Sequence, residues 1–557
     1  MYLRRIERKN KNGTSTAYLQ LAHNEWDPIG KCAKAKVIYS FGREDEVDRA
    51  ALERLAQSIT RMLPAEAAIR IQAQSGEQEE REVTFLGSRE YGGTWLLEGI
   101  WKQLHMRAML RAELGRKANA ERIEREIFSM VANRALSPGS KLSMEEWVSR
   151  DVEISGLTDV TSQQLYRAMD ALLEVREEVE KQVYHAVADL MNLTVDLLYF
   201  DTTSSYFEVE PSESTDGFRK QGYSKDSRPD LLQVVIGLAV TKEGIPIRSW
   251  VWPGNTADMS VVEEVKRDLI GWKLGRVIQV MDRGFVSEGN LKTLQRTGGH
   301  YIVGEKLRSG KADTEAALMR GGRYKSIEEN LRIKEIVVGD GERRKRYILC
   351  HNPREAERDR LKRAEAVRSL EEELVSLKQL PGERHSKAIC RLRTHPAYEK
   401  FIKQKQDGTL AIDREAIQWE ARYDGKYLLR TSDDTLTGED IALGYKQLAD
   451  VEDAFRTLKT HLELRPMYHR LEDRIRAHIL LCWLALLLVR MTEVRTGDRW
   501  RTIRTEMSRM HVGDFKTTDG QFRQVTLPSA KQREWLTKLG LKSPPRLLDV
   551  ATMSSES

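Results

Sequence analysis

Tyr445-Lys-Gln-Leu-Ala-Asp-Val-Glu-Asp-Ala-Phe-Arg-Thr-Leu-Lys459 reads as one helix. Leu448, Val451, Phe455 and Leu458 recur at steps of three and four and form one apolar stripe. Tyr445, Glu452 and Lys459 are spaced seven apart, so on a continuous helix they lie nearly in line, drifting only about 20° per step. The helix then carries an acid with a phenol two turns to one side and an ammonium two turns to the other. Taken alone, this is simply a charged face in water.

Two aspartates upstream change that reading. Thr194-Val-Asp-Leu-Leu-Tyr-Phe200 is an apolar run of strand length, and Asp201 ends it. Arg276-Val-Ile-Gln-Val-Met281 is a second such run, and Asp282 follows it. Either aspartate alone serves equally well as a turn residue or helix cap. Two acids at strand ends plus one on a helix form a set. Carboxylate oxygen suits Mg²⁺, which keeps waters or phosphate oxygens as its other ligands. Two such ions about 4 Å apart can activate an attacking oxygen and stabilise a leaving one on a phosphodiester. The aspartates are 282 − 201 = 81 residues apart, so only the fold can pair them.

With these motifs the chain resembles the DDE transposases of bacterial insertion sequences. It looks closest to the insertion-sequence-four group, whose last catalytic helix carries Tyr, Arg, Glu and Lys. Tyr445, Glu452 and Lys459 match; Leu448 stands at the Arg position, and Arg456, one turn beyond Glu452, is the nearest substitute. The resemblance runs from about Tyr199 to Leu488. It includes Gly222-Tyr-Ser-Lys-Asp-Ser-Arg-Pro-Asp230, Pro253-Gly-Asn-Thr-Ala-Asp258 and Asp282-Arg-Gly-Phe285.

The resemblance implies a ribonuclease-H-like catalytic core whose first and fourth strands lie side by side. It implies Asp201, Asp282 and Glu452 as catalytic residues and metal ligands for two Mg²⁺ (or Mn²⁺) ions. Tyr445, Lys459, Arg456, Arg283, Arg465, His469 and Arg474 become DNA contacts. The partners are double-stranded DNA, as terminal inverted repeats and target, and a second copy of the chain holding the paired ends. The reaction is hydrolysis freeing a 3′-hydroxyl, then its attack on the opposite strand or on target DNA. A catalytically silent DNA-binding relative, or a nuclease without strand transfer, would keep the same fold.

The rest of the chain reads as a multidomain α/β protein. At 557 residues it is several domains long. Charged residues make up 32%, and the net charge of +6 permits nucleic-acid binding without demanding it. Cys32, Cys350, Cys390 and Cys482 form no CxxC pair, which argues against a zinc ribbon and fits a reducing bacterial cytoplasm. The start lacks an apolar signal core, and the longest apolar run, Ile479 to Val489, is too short to span a bilayer and reads as a core helix.

Residues 1–92 read as a small β unit around a Pro28-Ile-Gly turn, then a helix and a linker. Residues 93–193 are helical, with a candidate helix-turn-helix whose second helix starts at Thr161 or Ser162 and offers Gln163, Gln164 and Arg167 to DNA. Residues 194–305 hold the first part of the catalytic core. From Asp282 to Glu452 is 452 − 282 = 170 residues, so a largely β insertion, 306–436, interrupts the core. Within it Arg332–Val338, Arg346–His351, Ile417–Arg422 and Lys426–Arg430 read as strands, with Asp424-Gly425 as a hairpin turn. Pro353 to Leu380 reads as a charged helix or helical hairpin. Trp419, Tyr423 and Tyr427 are candidates for holding a flipped base. Residues 437–495 complete the core, and the weakly patterned 496–557 end in a frayed tail.

Overall fold

The computed structural model describes all residues other than 10–14, 28–29, 31, 63–82, 116–118, 191–196, 209–216, 271–276, 342–343, 466, 518–519 and 553–557. The expected Pro28 turn, most of the linker, the start of the Asp201 run and the frayed tail lie outside the described residues. Residues 1–84 and 85–557 form two units.

In the first unit, Tyr2–Lys9 (β1), Ser15–Asp27 (β2) and Cys32–Arg43 (β3) form an antiparallel meander, with the register running from Tyr2↔Ala22 to Lys9↔Ser15 between β1 and β2. The helix Arg49–Met62 follows. Thr84–Glu90 (β4), expected as linker, is a strand, and from Phe85 onward it belongs to the second unit.

In the second unit a helical block is gathered around one helix, Glu472–Thr496. This helix contains the Ile479 to Val489 run. Over that run it is apolar on all sides, as a helix surrounded by protein must be. Its 25 residues are long and apolar enough to cross a bilayer by length and composition, but its apolar window is 83% buried within the protein, in line with the core-helix reading. It packs on the helices Ala120–Leu136 and Ser162–Glu174. Thr161 caps the latter. Its hydroxyl accepts from the Gln164 amide, and the Gln164 side chain accepts from the Thr161 amide.

The central sheet has nine strands. Of these, Leu197–Tyr206 (β5), Gln233–Val240 (β6), Pro246–Pro253 (β7), Ile278–Met281 (β8) and His300–Glu305 (β9) come first in the chain; β8 falls within the Arg276–Met281 run, and β5 runs six residues past Phe200. β6 is buried throughout, and its apolar run without alternation is what burial on both faces requires. Gly237 on β6 has no side chain because a Cβ there would meet the rings of Trp252 and Phe200 at 2.5 Å and 3.1 Å. β5 lies between antiparallel β6 and parallel β8, and β8 pairs in parallel with β9. The first and fourth of these strands are therefore neighbours, as expected.

The intervening segment does not build a separate sheet. Lys325–Glu328 (β10), Leu331–Val338 (β11) and Lys345–His351 (β12) extend the same sheet, and Ile402–Gln404 (β13) and Leu410–Ile412 (β14) make only a small hairpin. Lys426–Thr431 (β15) joins β12 to β9, giving the order β10-β11-β12-β15-β9-β8-β5-β6-β7. Ile417–Arg422 is not a strand. Arg414–Ala421 is a helix capped by Asp413, whose side chain accepts from the amides of Glu415 and Ala416. Asp424-Gly425 accordingly joins a helix to β15 instead of closing a hairpin. Pro353–Leu377 and Gly382–Arg393 form the helical hairpin, with Leu370, Leu377, Leu392 and Phe401 in a small core of their own.

The last region is also ordered where it is described. His511–Thr517 (β16), Gly520–Val525 (β17) and Leu547–Thr552 (β18) make a four-stranded sheet with β4 in the order β18-β17-β16-β4.

Candidate active site

The parallel pairing of β5 and β8 ends at Phe200↔Met281, so Asp201 and Asp282 are the next residue on each strand. Adjacent strands lie about 4.8 Å apart. The two acids, distant in sequence, are thus neighbours at the carboxyl end of the parallel strands, where open α/β sheets bind ligands. Asp201 does not end its strand, as the apolar run suggested. β5 continues to Tyr206 against β6, and only its parallel partner stops.

Glu452 reaches the same place. It is exposed, and with Asp201, Asp282, Leu448, Tyr427 and Tyr445 it lines a cavity of about 450 Å³. The expected single helix is two. Gly438–Lys446 ends at Gln447, and Leu448–Thr460 begins anew. Gln447 accepts a hydrogen bond from the Tyr199 hydroxyl at 2.7 Å. Tyr445 is therefore not in line with Glu452 on one helix; the break turns its ring toward β9. There Gly304 leaves room for it, since a Cβ would collide with the Tyr445 hydroxyl. That hydroxyl donates to Asp282 Oδ1 at 3.0 Å. Burial, and next the charge of Asp282, push the Tyr445 pKa well above the usual phenol range, so it stays a donor.

Tyr445→Phe removes a hydrogen bond to a charged acceptor, worth about 1.5–3 kcal/mol. If Asp282 takes part in cleavage, single-turnover rates should fall about 10- to 100-fold while thermal stability changes little. An unchanged rate would show that Asp282 needs no orientation.

Lys225 attends Asp201 as an ion pair, without the direct hydrogen bond that Tyr445 gives Asp282. Its Nζ donates to the Thr202 carbonyl at 2.7 Å and lies 3.7 Å from Asp201 and 3.4 Å from Asp258. The Thr202 hydroxyl donates to Asp258 at 2.5 Å. Burial raises the Asp201 pKa to about 6; Lys225 and the Thr202 amide oppose this, while Asp258 and Asp282 add to it. Lys225, Thr202 and Asp258 were not among the expected site residues. Their signal was present, because Lys225 and Asp258 lie in the two glycine-containing motifs. Those motifs pack backbone to backbone, and a Cβ on Gly222 would collide with the Gly254 carbonyl.

The expected DNA contacts divide. Arg283 is exposed and lines an adjoining cleft with Lys306, Arg308 and Lys426, which shares Asp282, Tyr427 and Tyr445 with the acid cavity. Lys459 donates to Asp226 at 2.7 Å, and Arg465 reaches the same carboxylate at 2.5 Å. Arg474 pairs with Asp170 at 2.7 Å and lies over the Tyr166 ring. His469 is held near a pKa of 4, chiefly by burial and then by Lys141 and Arg134. Most of this basic stretch is turned inward. Arg456 does not replace the missing arginine. It pairs with Asp453 and lines a cleft that shares no residue with the acid cavity, whereas Leu448 lines that cavity itself.

Of the three aromatics, only Tyr427 lines the acid cavity, stacked on Tyr445 at 6.1 Å. Tyr423 is buried under Arg308, and Trp419 is half exposed beneath the Arg422 guanidinium. Gln163 and Arg167 are exposed, but the Gln164 side chain is engaged in the helix cap.

Among the described residues, no three His, Cys, Asp or Glu side chains are close enough to hold a metal ion together. The donor set nevertheless fits Mg²⁺. It is all carboxylate oxygen, and Mg²⁺ is commonly held by one or two carboxylates with substrate phosphates completing its shell.

Residues 201–488, a little over half of the chain, match the family model of the transposase DDE domain. The chain belongs to that family. Residues 3–70 match the N-terminal domain of the IS1634 family transposases, a family name distinct from the insertion-sequence-four group. No curated protein matches the chain. Among solved structures, a piggyBac transposase in a synaptic complex with hairpin DNA is similar over 75% of this chain and 79% of that one, with 11% identity and a TM-score of 0.33. A likeness that slight carries no argument.

Proposed function

We propose that this DDE-family protein is a cut-and-paste transposase with a ribonuclease-H-like core, akin to the insertion-sequence-four group. The observation that carries the reading is the register of β5 against β8, with Asp201 and Asp282 as next neighbours and Glu452 lining the same cavity. Asp201, Asp282 and Glu452 would hold two divalent ions, Mg²⁺ or Mn²⁺, whose chemistry there is to stabilise charge on the attacking and leaving oxygens. Lys225 and Tyr445 hold the aspartates in place. The cleft with Arg283, Lys306 and Lys426 receives the phosphate backbone. Residues 93–193 recognise the terminal inverted repeats, 194–305 and 437–495 carry the chemistry, and 306–436 widen the sheet beside it. Two copies would hold the two ends.

In the first step water adds to the scissile phosphorus and the bond to the 3′-oxygen breaks, leaving a 3′-hydroxyl on the element and a 5′-phosphate on the flank. Of the water's two protons, one is released and replaced, through solvent, on the departing 3′-oxygen, and the other stays on the new 5′-phosphate until it dissociates. The 3′-hydroxyl then attacks the opposite strand or a target phosphodiester, whose own 3′-oxygen leaves.

The test uses duplex DNA ending in the repeats that flank the gene, with Mg²⁺ or EDTA. The wild type should bind, nick at the repeat boundary and join the end to a plasmid, all chemistry stopping in EDTA. Glu452→Gln should bind without cutting. Binding without cutting in both would leave a silent DNA-binding relative; cutting without joining would leave a nuclease.

A further inference from the structure

A second cavity, of about 270 Å³, lies between the helical block and the segment that follows the Glu452 helix. Arg134, Lys141, Tyr166, Arg465, His469 and His478 line it, with Tyr468 at its rim, 71% exposed. Lys141 is 3% exposed, yet it makes no hydrogen bond or ion pair with any described residue. Arg134 is 8% exposed. It donates to the Gly139 carbonyl at 2.7 Å, and its Nε has no partner. His478 is buried beside them, and its ring lies 5.0 Å from that of His469.

Apart from Cys482 acting on Lys141, Arg474 on His469 and the Leu464 backbone on His478, the neighbours that act on these groups are one another. Arg134 acts on Lys141; Lys141 and Arg134 act on both histidines; no carboxylate is among the groups that shift any of the three. Glu463 is on the lining, but it is exposed and offers its carbonyl, at 3.5 Å, to Arg134. Arg465 already has Asp226.

Burying cations without a counter-charge is unfavourable, and a sequence free to vary would replace Lys141 with an apolar residue of similar size. The group that satisfies a guanidinium, an ammonium and imidazole N–H donors together is a phosphate, which offers several charged acceptor oxygens. We propose that this cavity is a phosphate-binding site, filled by a DNA backbone phosphate or by free inorganic phosphate. Only the DNA source rests on the transposase reading.

The first arm is thermal melting of the full chain at constant ionic strength, with inorganic phosphate replacing chloride. Phosphate should raise the wild-type Tm. Lys141→Met should melt higher than the wild type without phosphate, since the uncompensated charge is gone, and should not respond to phosphate. Lys141→Arg should keep the response.

The second arm is anisotropy with repeat-bearing and random duplexes, without divalent metal so that no cutting occurs. If the phosphate belongs to DNA, Lys141→Met should weaken binding about ten-fold and reduce the salt slope by about 1. If it is free phosphate, duplex binding should not change. A folded Lys141→Met that responds to phosphate and binds duplexes like the wild type would overturn the proposal. A wild type that binds no duplex would remove the transposase reading and leave the melting arm intact. Should Lys141→Met not fold, acetylation of the Lys141 amine in the wild type replaces it, read by peptide mass. Protection by phosphate or duplex supports the site, and an equal rate with both overturns it.

Discussion

Asp201→Asn is expected to leave DNA binding intact and to lower the single-turnover cleavage rate about a thousand-fold or more. The substitution keeps the shape of the side chain. It removes one negative charge and one strong ligand oxygen from a site that, on the proposed function, holds divalent cations. Such ions contribute several kcal/mol of charge stabilisation in the transition state, and each 1.36 kcal/mol is ten-fold in rate. The alternative carboxylate is close. Asp258 shares Lys225 and Thr202 with Asp201 and lies 3.4 Å from the Lys225 amine. A variant that retained more than a tenth of wild-type cleavage would therefore transfer the metal-holding role to Asp258. Asp258→Asn alone should do less damage, because it only loosens the Lys225 and Thr202 contacts.

Arg125→Met is expected to destabilise the second unit by about 3 kcal/mol. Arg125 is 1% exposed and bridges two buried carboxylates, reaching Glu124 at 2.6 Å and Glu98 at 3.1 Å. Glu124 also accepts from the Trp101 indole at 2.9 Å. Removing the guanidinium leaves two acids close together in the helical core, with Arg111 at 3.5 Å and Arg107 at 3.7 Å as the remaining cations beside Glu124. Lys102 at 3.1 Å and Arg107 at 3.4 Å still attend Glu98, which keeps the expected loss at the lower end of the range for a broken buried pair. Chemical unfolding of the full chain reads the change. Adding Glu124→Gln to Arg125→Met should recover part of the loss, since the carboxylate that lost its shortest ion pair is then neutral. A loss below about 1 kcal/mol would mean that the surrounding basic residues already neutralise both acids.

Much of the site was legible because the signals are local. A short apolar run ending in an acid marks β5 and β8, and the three- and four-residue spacing of Val451, Phe455 and Leu458 marks the helix that carries Glu452; all three are buried. The order of the acids and the glycine motifs is itself the resemblance to the transposase DDE family. Local signals misled wherever two structures share one pattern. Ile417 to Arg422 alternates like a strand but starts after Asp413, whose side chain caps a helix. Tyr445 to Lys459 keeps a helical period across Gln447, where the chain in fact breaks between two helices.

The sequence by itself marked the three acids as candidates for the chemistry and marked which segments had to be buried. Only the tertiary structure decided which of the charged groups meet. The parallel register sets Asp201 beside Asp282. Lys225, in one glycine motif, reaches Asp201 and Asp258 because the two motifs pack backbone to backbone. Lys459, Arg465 and Arg474, which read as phosphate contacts, instead find Asp226 and Asp170. Periodicity reports the face on which a side chain lies, because that depends on its own segment. The charge that meets it comes from another segment, through strand register and helix packing that no local pattern records.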